Sequence, residues 1–492
     1  MNIKNVLLID ISTRNVQLPE SYIGILEQRL LLQSAVVEER IKKKVQRQGF
    51  SYSRGLLTLA ACLERNGFNV YYIVYLDSED RKKLPQLIKE SDAVCISAVT
   101  LTIDLAANVS KFAKKINSRI LSIIGGIHAT SLPLETMKSY PGFDILLTGE
   151  CENRIVSILK DISHPDIVGG AYYRVGEDVV ESSAQVEKVI LSELPSPAYH
   201  LLSRPLHQYS HNIRTARGCP YKCNFCAERH SWNSSLESEH TVKQIIDEID
   251  FLSARLPKNT LLHFSDAVFN LKPDRTLALA REISKITSGL LFSIDTRVDL
   301  IDEKEVAILK DANFTFFRLG FENTNSHILN MSFKSITEQQ QNLASEIVRK
   351  TAPDAAIFAY WITGLPGTTQ ETIFADINVV NKLITSNTVD VIGNKVFVPY
   401  PETAQFNNPE FFGMEIYTYN WKKYVRASIP VFHLAELSAD KIYLGFIEQE
   451  KALLDGYQIR LGDSWSNRVS ASQYQDHIKF YYLRKQLKNV LH

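Results

Sequence analysis

No apolar stretch of this chain approaches the roughly eighteen residues needed to span a membrane. The opening residues, MNIKNVLLIDIS, also lack the charged start, long apolar core and small-residue cleavage site of a secretory signal. Neither a membrane protein nor an exported one is therefore expected. Neither sign of charge is in excess, with 55 Lys plus Arg against 55 Asp plus Glu, which removes the electrostatic argument for a nucleic-acid partner. Internal repeats and low-complexity tracts are absent, and 45% hydrophobic with 22% charged residues describes an ordinary globular chain long enough for two or three domains. Cysteine is scarce, six in 492 residues. Half of that small number falls in one short stretch.

That stretch is Arg217-Gly218-Cys219-Pro220-Tyr221-Lys222-Cys223-Asn224-Phe225-Cys226, a C-x3-C-x2-C triad with an aromatic residue before its last cysteine. Three thiolates so close together suit three corners of a cubane iron–sulfur cluster and leave the fourth iron open to bind a substrate or cofactor directly. The alternative is a structural zinc, whose fourth ligand would be His230, four residues beyond Cys226. Either metal requires reduced thiols, which points to the cytoplasm. Cys62, Cys95 and Cys151 are scattered in apolar surroundings and read as small buried hydrophobes.

Residues 1–165 alternate strand-like apolar runs, at 4–11, 69–76, 92–99, 119–125 and 143–148, with helical patterns such as 55–66 and 105–116. This predicts an α/β domain with a doubly wound parallel sheet, whose ligands sit beyond the carboxyl ends of the strands. The loops there contain Ser97 and Thr100, then Gly125-Gly126-Ile127-His128-Ala129-Thr130, then Gly149-Glu150. Their glycines let backbone approach a ligand. Neither glycine loop carries the G-x-G-x-x-G spacing of a dinucleotide site. Residues 12–50 are an insertion with two charged stretches and helical spacing, expected to form a surface helix or a partner contact.

Residues 166–205 read as a linker, with a hairpin around Gly176-Glu177-Asp178 and a stiff Leu194-Pro195-Ser196-Pro197 turn. Alternation resumes over 206–404, with strands expected at 213–217, 261–269, 291–299, 316–322, 355–363 and 389–398. Six βα units suit an open, partial barrel of the TIM type rather than a complete eightfold one. The triad directly follows the first of these strands, at the end where barrel chemistry occurs. Residues 405–492 are tyrosine-rich and mainly helical in pattern, with helices expected at 438–456 and 474–487. Tyr417, Tyr419, Trp421 and Tyr424 could line a pocket there, or simply pack.

The triad resembles that of the radical S-adenosylmethionine (SAM) enzymes, C-x3-C-x-aromatic-C, and the G-G-x-H-A-T and G-E loops resemble the cobalamin-binding domain that precedes the barrel in one large class of them. The resemblance implies a [4Fe-4S] cluster on Cys219, Cys223 and Cys226, with SAM on its open iron and cobalamin against Ser97, Thr100, Gly125, Gly126, His128, Gly149 and Glu150. Many such domains ligate cobalt with the histidine of D-x-H-x-x-G. This chain instead reads Tyr52-Ser53-Arg54-Gly55, so Tyr52 and Ser53 are expected at the corrin without a histidine ligand, unless Tyr52 merely packs. For SAM, the resemblance implies Phe225 against the adenosyl group, Ser265 and Asp266 at the methionine amino group, Arg297 at its carboxylate, Glu322 at the ribose, and Gly364 beside the adenine. Pro399-Tyr400-Pro401-Glu402-Thr403 resembles the turn that closes such barrels, with Glu402 where glycine is usual.

The activity this implies is reductive cleavage of SAM, hydrogen abstraction from a small molecule and methyl transfer from methylcobalamin to carbon, with an external electron donor of the flavodoxin or ferredoxin type. Oxidation, cyclisation or ring contraction without methyl transfer is the nearest alternative, and a non-catalytic corrinoid or iron–sulfur carrier or sensor is another. Methylthio transfer to tRNA fits less well, because the chain lacks a basic RNA-binding tail.

Overall fold

The computed structural model describes residues 3–11, 20–46, 49–228, 238–286 and 289–462. His230 and the helix expected at 474–487 lie outside the described residues. The first sheet comprises β1 (Asn5–Asp10), β2 (Asn69–Val74), β3 (Ala93–Ser97), β4 (Leu121–Gly125), β5 (Ile145–Leu147), β6 (Ala171–Val175) and β7 (Asp178–Glu181), in the order β2-β1-β3-β4-β5-β6-β7. Helices cover both faces of its parallel part, so the strands are continuous apolar runs. Val6 and Leu8 of β1 pack with Leu56 and Ala60 on one face, while Leu7 and Ile9 pack with Ile88 and Ala106 on the other. The strand order reverses between β1 and β3, which opens a crevice at their carboxyl ends, Asp10 and Ser97. The hairpin turns at Gly176, with φ +65°. It adds β6 antiparallel to β5, so the sheet runs on to Glu181 before the connector begins.

The second sheet is six parallel strands in sequence order: β8 (Asn212–Ile213), β9 (Leu261–Phe264), β10 (Leu291–Arg297), β11 (Phe314–Glu322), β12 (Ala356–Thr363) and β13 (Val391–Val396). β8 and β9 are shorter than the apolar pattern predicts. Thr215 and Ala216 leave the ladder to donate their N–H groups to the Asp266 carboxylate, and both strands end there. Side chains alternate along each strand. Leu262, Phe264, Ile294, Leu319 and Ile357 face the helices and pack with Ile249, Leu279, Val306 and Val348. The opposite, inner face is layered. Leu261, Leu291, Phe316, Ala356 and Val391 form an apolar floor. Above it lie His263, Ser293, Asp295, Arg318 and Tyr360, joined by hydrogen bonds.

The floor is completed by the insertion. Its helix, Glu20–Ile41, runs beside β13 and the long helix Ala439–Leu461, and Val37, Ile41 and Val45 then close the amino-terminal end of the barrel. This corrects the expected surface helix. Leu32, Val36, Val37 and Ile41 are buried, and Arg29 forms a buried ion pair with Glu450 at 2.7 Å. Arg40 of the 38–40 charged stretch also finds its partner inside the fold: Asp390, fully buried at the start of β13, pairs with Arg40 (3.0 Å), Arg349 (2.7 Å) and Arg460, and accepts from Ile357 N (2.8 Å).

One carboxylate thus ties four chain segments together. Burial alone would raise the Asp390 pKa, but the three guanidinium groups hold it below the usual carboxylate range. A depressed native pKa contributes stability that is present above the unfolded value near ~3.9 and is lost as pH falls through the native value. Asp390→Asn leaves three guanidinium groups without their acid and should cost roughly 3–5 kcal/mol. Denaturant unfolding will read this loss, and the variant should show a shallower acid limb than the wild type.

Candidate active site

The cysteine loop is braced from three sides. At its start, the buried Asp266 accepts from Thr215 N (2.7 Å), Thr215 Oγ1 (2.6 Å) and Ala216 N (2.8 Å). Both carboxylate oxygens are engaged, so Asp266 braces the start of the cysteine loop, close to where the methionine amino group is expected. Ser265 likewise turns back to Asn212 Oδ1 at 3.3 Å. In the middle of the loop, Asn224 donates its N to Ser332 O (3.2 Å) and Nδ2 to Met331 O (2.7 Å), and accepts from Gln405. Asn224 and Gln405 belong to no motif that sequence reasoning could use.

Cys219, Cys223 and Cys226 are free and half-buried. Among the described residues no three His, Cys, Asp or Glu side chains converge on a single ion. A cubane places each thiolate on a different iron and needs no such convergence. Burial pushes the Cys226 thiol up to about 12 and raises Cys219. Thiolates at Cys219 and Cys226 therefore require a cationic centre, so the donor set fits a cluster.

Arg297 stacks on Tyr221 at 3.8 Å and points Nη1 at Cys223 Sγ, 3.9 Å away. Its Nε and Nη2 are held by Asp299 at 2.8 and 3.0 Å, so that edge is closed to the methionine carboxylate expected there. The cation that sequence reasoning missed is Lys334, buried with Nζ 3.0 Å from Glu322 Oε1. Room for it comes from Gly320, where a Cβ would lie 2.6 Å from Lys334 Nζ. Glu322 itself sits past a bulge in β11 at φ +61°. Phe225 packs half-buried beside the apolar core. Gly364, at φ +85°, leaves space for Ile442, because a Cβ would stand 2.6 Å from Ile442 Cγ2. It serves the packing of the long helix.

On the first sheet, Ser97, Gly125 and Gly126 end β3 and β4, and Thr100 opens the turn after β3. Gly126 is required where it stands, with φ +96° and a Cβ position 2.5 Å from Ala98 O. Gly149 donates its N to Thr130 Oγ1 at 2.8 Å. His128 is buried edge-on to Trp421, at 5.1 Å between ring centroids, and its Nδ1 has no partner among the described residues. The glycine cradle and this orphaned nitrogen suit a polar, flat ligand at the strand ends, so these residues fit a corrin. Tyr52 and Ser53 do not join them. Tyr52 donates to His211 Nδ1 (2.9 Å) among Tyr199 and Tyr209, while Ser53 caps the helix Arg54–Arg65. The packing reading of Tyr52 is therefore the one the structure favours. Trp421 and Tyr424 are packed in the core, whereas Tyr417 and Tyr419 stay more exposed.

The two sites touch through Arg217, two residues before Cys219. Its Nη1 meets Glu150 at 2.9 Å and its Nη2 meets Glu152 at 2.5 Å, all three side chains being largely buried. Glu150, expected at the corrin, is therefore also a link to the cysteine loop. Burial raises its pKa and Arg217 opposes the rise. Arg217→Met strands two buried acids side by side and should cost roughly 3–5 kcal/mol. Adding Glu150→Gln and Glu152→Gln should recover most of that, as measured by denaturant unfolding.

A second test uses His128, which burial pushes down to about 4. The unfolded chain, with a value near ~6.5, binds the proton more readily, so stability is full above that value and is lost as pH falls toward 4. Unfolding midpoints measured between pH 7 and 5 should decline in the wild type and flatten in His128→Phe.

Comparison with known proteins places these sites in a family. The B12 binding domain matches residues 45–159 and the Radical SAM superfamily matches residues 213–379. The uncharacterized methyltransferase PH0819 of Pyrococcus horikoshii is 26% identical over 382 residues, covering 74% of this chain and 80% of its own. The anaerobic magnesium-protoporphyrin IX monomethyl ester cyclase of Rubrivivax gelatinosus is 23% identical over 386 residues, covering 74% and 67%. Among solved structures, the radical S-adenosylmethionine methyltransferase TsrM from Kitasatospora setae, with tryptophan substrate and aza-SAM bound, superposes with a TM-score of 0.63. That match covers 84% of this chain and 78% of TsrM at 16% identity, which is a likeness of fold. The two family matches fall on the two sheets in the same order, and the chain belongs to the radical SAM enzymes that carry a B12 binding domain.

Proposed function

We propose that this protein is a cobalamin-dependent radical SAM methyltransferase acting on carbon of a small molecule. The observation that carries the reading is the Arg217 clamp, which joins the loop after β5 to the cysteine loop and holds the corrin side against the cluster side. When bound, the cluster and SAM would supply a hydrogen-abstracting radical, and cobalamin would supply the methyl group. The chain's own residues hold and orient. Cys219, Cys223 and Cys226 hold the cluster, and Arg297 sets a positive charge beside Cys223. The opposed charges of Lys334 and Glu322 suit the zwitterionic end of SAM, with Phe225 against its adenosyl group. Gln405 holds the cysteine loop at Asn224 and Trp421 packs on His128, so the segment between them reaches both sites.

Methyl transfer is supported by PH0819. The cyclase relative supports a second reading, oxidation or cyclisation on the same cofactors. Reduced thiols suit the cytoplasm and a flavodoxin- or ferredoxin-type donor. Among the described residues no helix is long and apolar enough to cross a membrane.

The test is anaerobic reconstitution with iron, sulfide and cobalamin, followed by a dithionite-driven assay for 5′-deoxyadenosine. About four irons and one corrin per chain, with nucleoside formed by the wild type and lost in Cys223→Ala, are expected. Iron without corrin would remove the cobalamin reading, and zinc in place of iron would overturn the proposal. Product mass then separates the two chemistries, since methylation adds one carbon.

A further inference from the structure

The cations around the barrel mouth are mostly matched by acids. Arg297 pairs with Asp299, Lys334 with Glu322, and Arg318 with Asp295. Two are not. Lys395 occupies the inner face of β13 by alternation with Gly393, whose missing side chain admits the Phe358 ring. No carboxylate lies within ion-pair distance of Lys395 among the described residues. The acid whose charge reaches it, Glu450, is already bonded to Arg29 at 2.7 Å and to Tyr22 Oη at 3.2 Å. Burial, with Arg29 next, pushes the ammonium down to about 8, as expected of an enclosed cation short of negative charge.

Arg426 is the second. Its carbonyl accepts from Val396 N at 2.8 Å, which seats it at the end of β13 beside Lys395. Its Nε donates to Tyr400 Oη at 3.0 Å, and the guanidinium lies 5.2 Å from the Tyr400 ring. It has no acidic partner among the described residues. Arg426 also keeps an exposed surface although protein encloses it, with Tyr400, Cys226 and Tyr360 among its neighbours. Its charge reaches Tyr360 and Cys226, which sets it on the inner side of the barrel end, toward the last cysteine of the triad.

Lys395 is half-buried and the exposed Arg426 repels it, and an anionic ligand between the two offsets both effects. The planar fork of arginine fits a carboxylate, and the Tyr400 and Tyr360 rings give the rest of such a molecule a flat apolar wall. Resting on the proposed function, we infer that the substrate is a small organic carboxylate, its carboxylate held by Lys395 and Arg426 and its carbon skeleton lying against Tyr400 and Tyr360 beneath the cysteine loop. Lys395 and Arg426 are then specificity residues that fix which carbon faces the cluster.

The experiment uses the full chain, reconstituted anaerobically, and ligand-observed NMR with hexanoate, 3-phenylpropanoate and indole-3-propanoate, each beside its neutral amide. At least one acid is expected to bind about tenfold or more tightly than its amide. That preference should vanish in Lys395→Met and Arg426→Met, and persist in Lys395→Arg and in the exposed Lys441→Met. Equal binding of acid and amide in every pair, or binding of none, would overturn the inference. Displacement of the acid by SAM or by cobalamin would also overturn it, by assigning the two cations to a cofactor. Acid preference without nucleoside formation would leave the carboxylate site standing and remove the radical SAM reading; the converse would do the reverse.

Discussion

Two carboxylates on one guanidinium decide how this protein is put together. Glu150 and Glu152 come from the end of β5 and the helix it feeds, where a doubly wound sheet presents its ligand loops. Arg217 comes from the strand end that feeds the cysteine triad. Bringing the two functional ends together buries all three charges, which would cost several kcal/mol per ion if they stayed unmatched. Docking the ends removes that cost only when both carboxylates reach the same fork, so the pairing selects one relative placement of the domains. Two further buried contacts share the joint, Arg54 with Glu248 at 2.5 Å and Tyr52 with His211 at 2.9 Å. The residues that sequence pattern assigns to a cofactor, Glu150 and Tyr52, are thus spent on bringing two cofactor sites together.

The same economy governs the partial barrel. Six strands leave an open edge beside β13 and an uncovered floor, and an uncovered apolar floor would admit water to the barrel interior. The insertion after β1 meets both needs, its helix lying along β13 and its last turn filling the floor beneath Leu291, Ala356 and Val391. Asp390 then locks the arrangement through three arginines from three helices. A segment inserted in the first domain therefore completes the second. The domains are interleaved as well as docked.

Much of this was legible in the sequence, for identifiable reasons. Strand periodicity and the spacing of Cys219, Cys223 and Cys226 are local properties, so the two parallel sheets and the position of the triad follow from the chain alone. The destination of a polar side chain is not local. Asp266, Ser265, Tyr52, Ser53 and Glu150 stand where ligand contacts are expected, yet each finds a protein partner that no spacing announces. Lys334 and Gln405 lie outside any recognisable pattern and Asn224 fills an unspecified position of the triad, because their roles depend on a loop, a helix end and a distant segment meeting. The insertion helix misled for a related reason. The charges of 38–40 signal a solvated face until Asp390, some 350 residues further on, is placed against Arg40.

Where those polar groups meet, the backbone is held in costly shapes. Glu322 has φ +61°, and Lys334 is flanked by Phe333 at +51° and Ser335 at +52°, all left-handed positions that side chains other than glycine rarely adopt. Each costs on the order of 1–2 kcal/mol, so such residues persist only where the surroundings over-determine them. The surroundings here do so: Lys334 donates its N to Leu329 O and its Nζ to Glu322, while its carbonyl accepts from Arg297. Glu402, at +70°, repeats the pattern in the turn after β13, at the position where glycine is usual. Strain is therefore concentrated on the rim that holds Cys223, Arg297, Lys334 and Glu322, and the ordering of these charges is paid for in folding. A ligand entering this rim meets groups already aimed, which is the condition under which electrostatic contacts in a water-poor site are strongest.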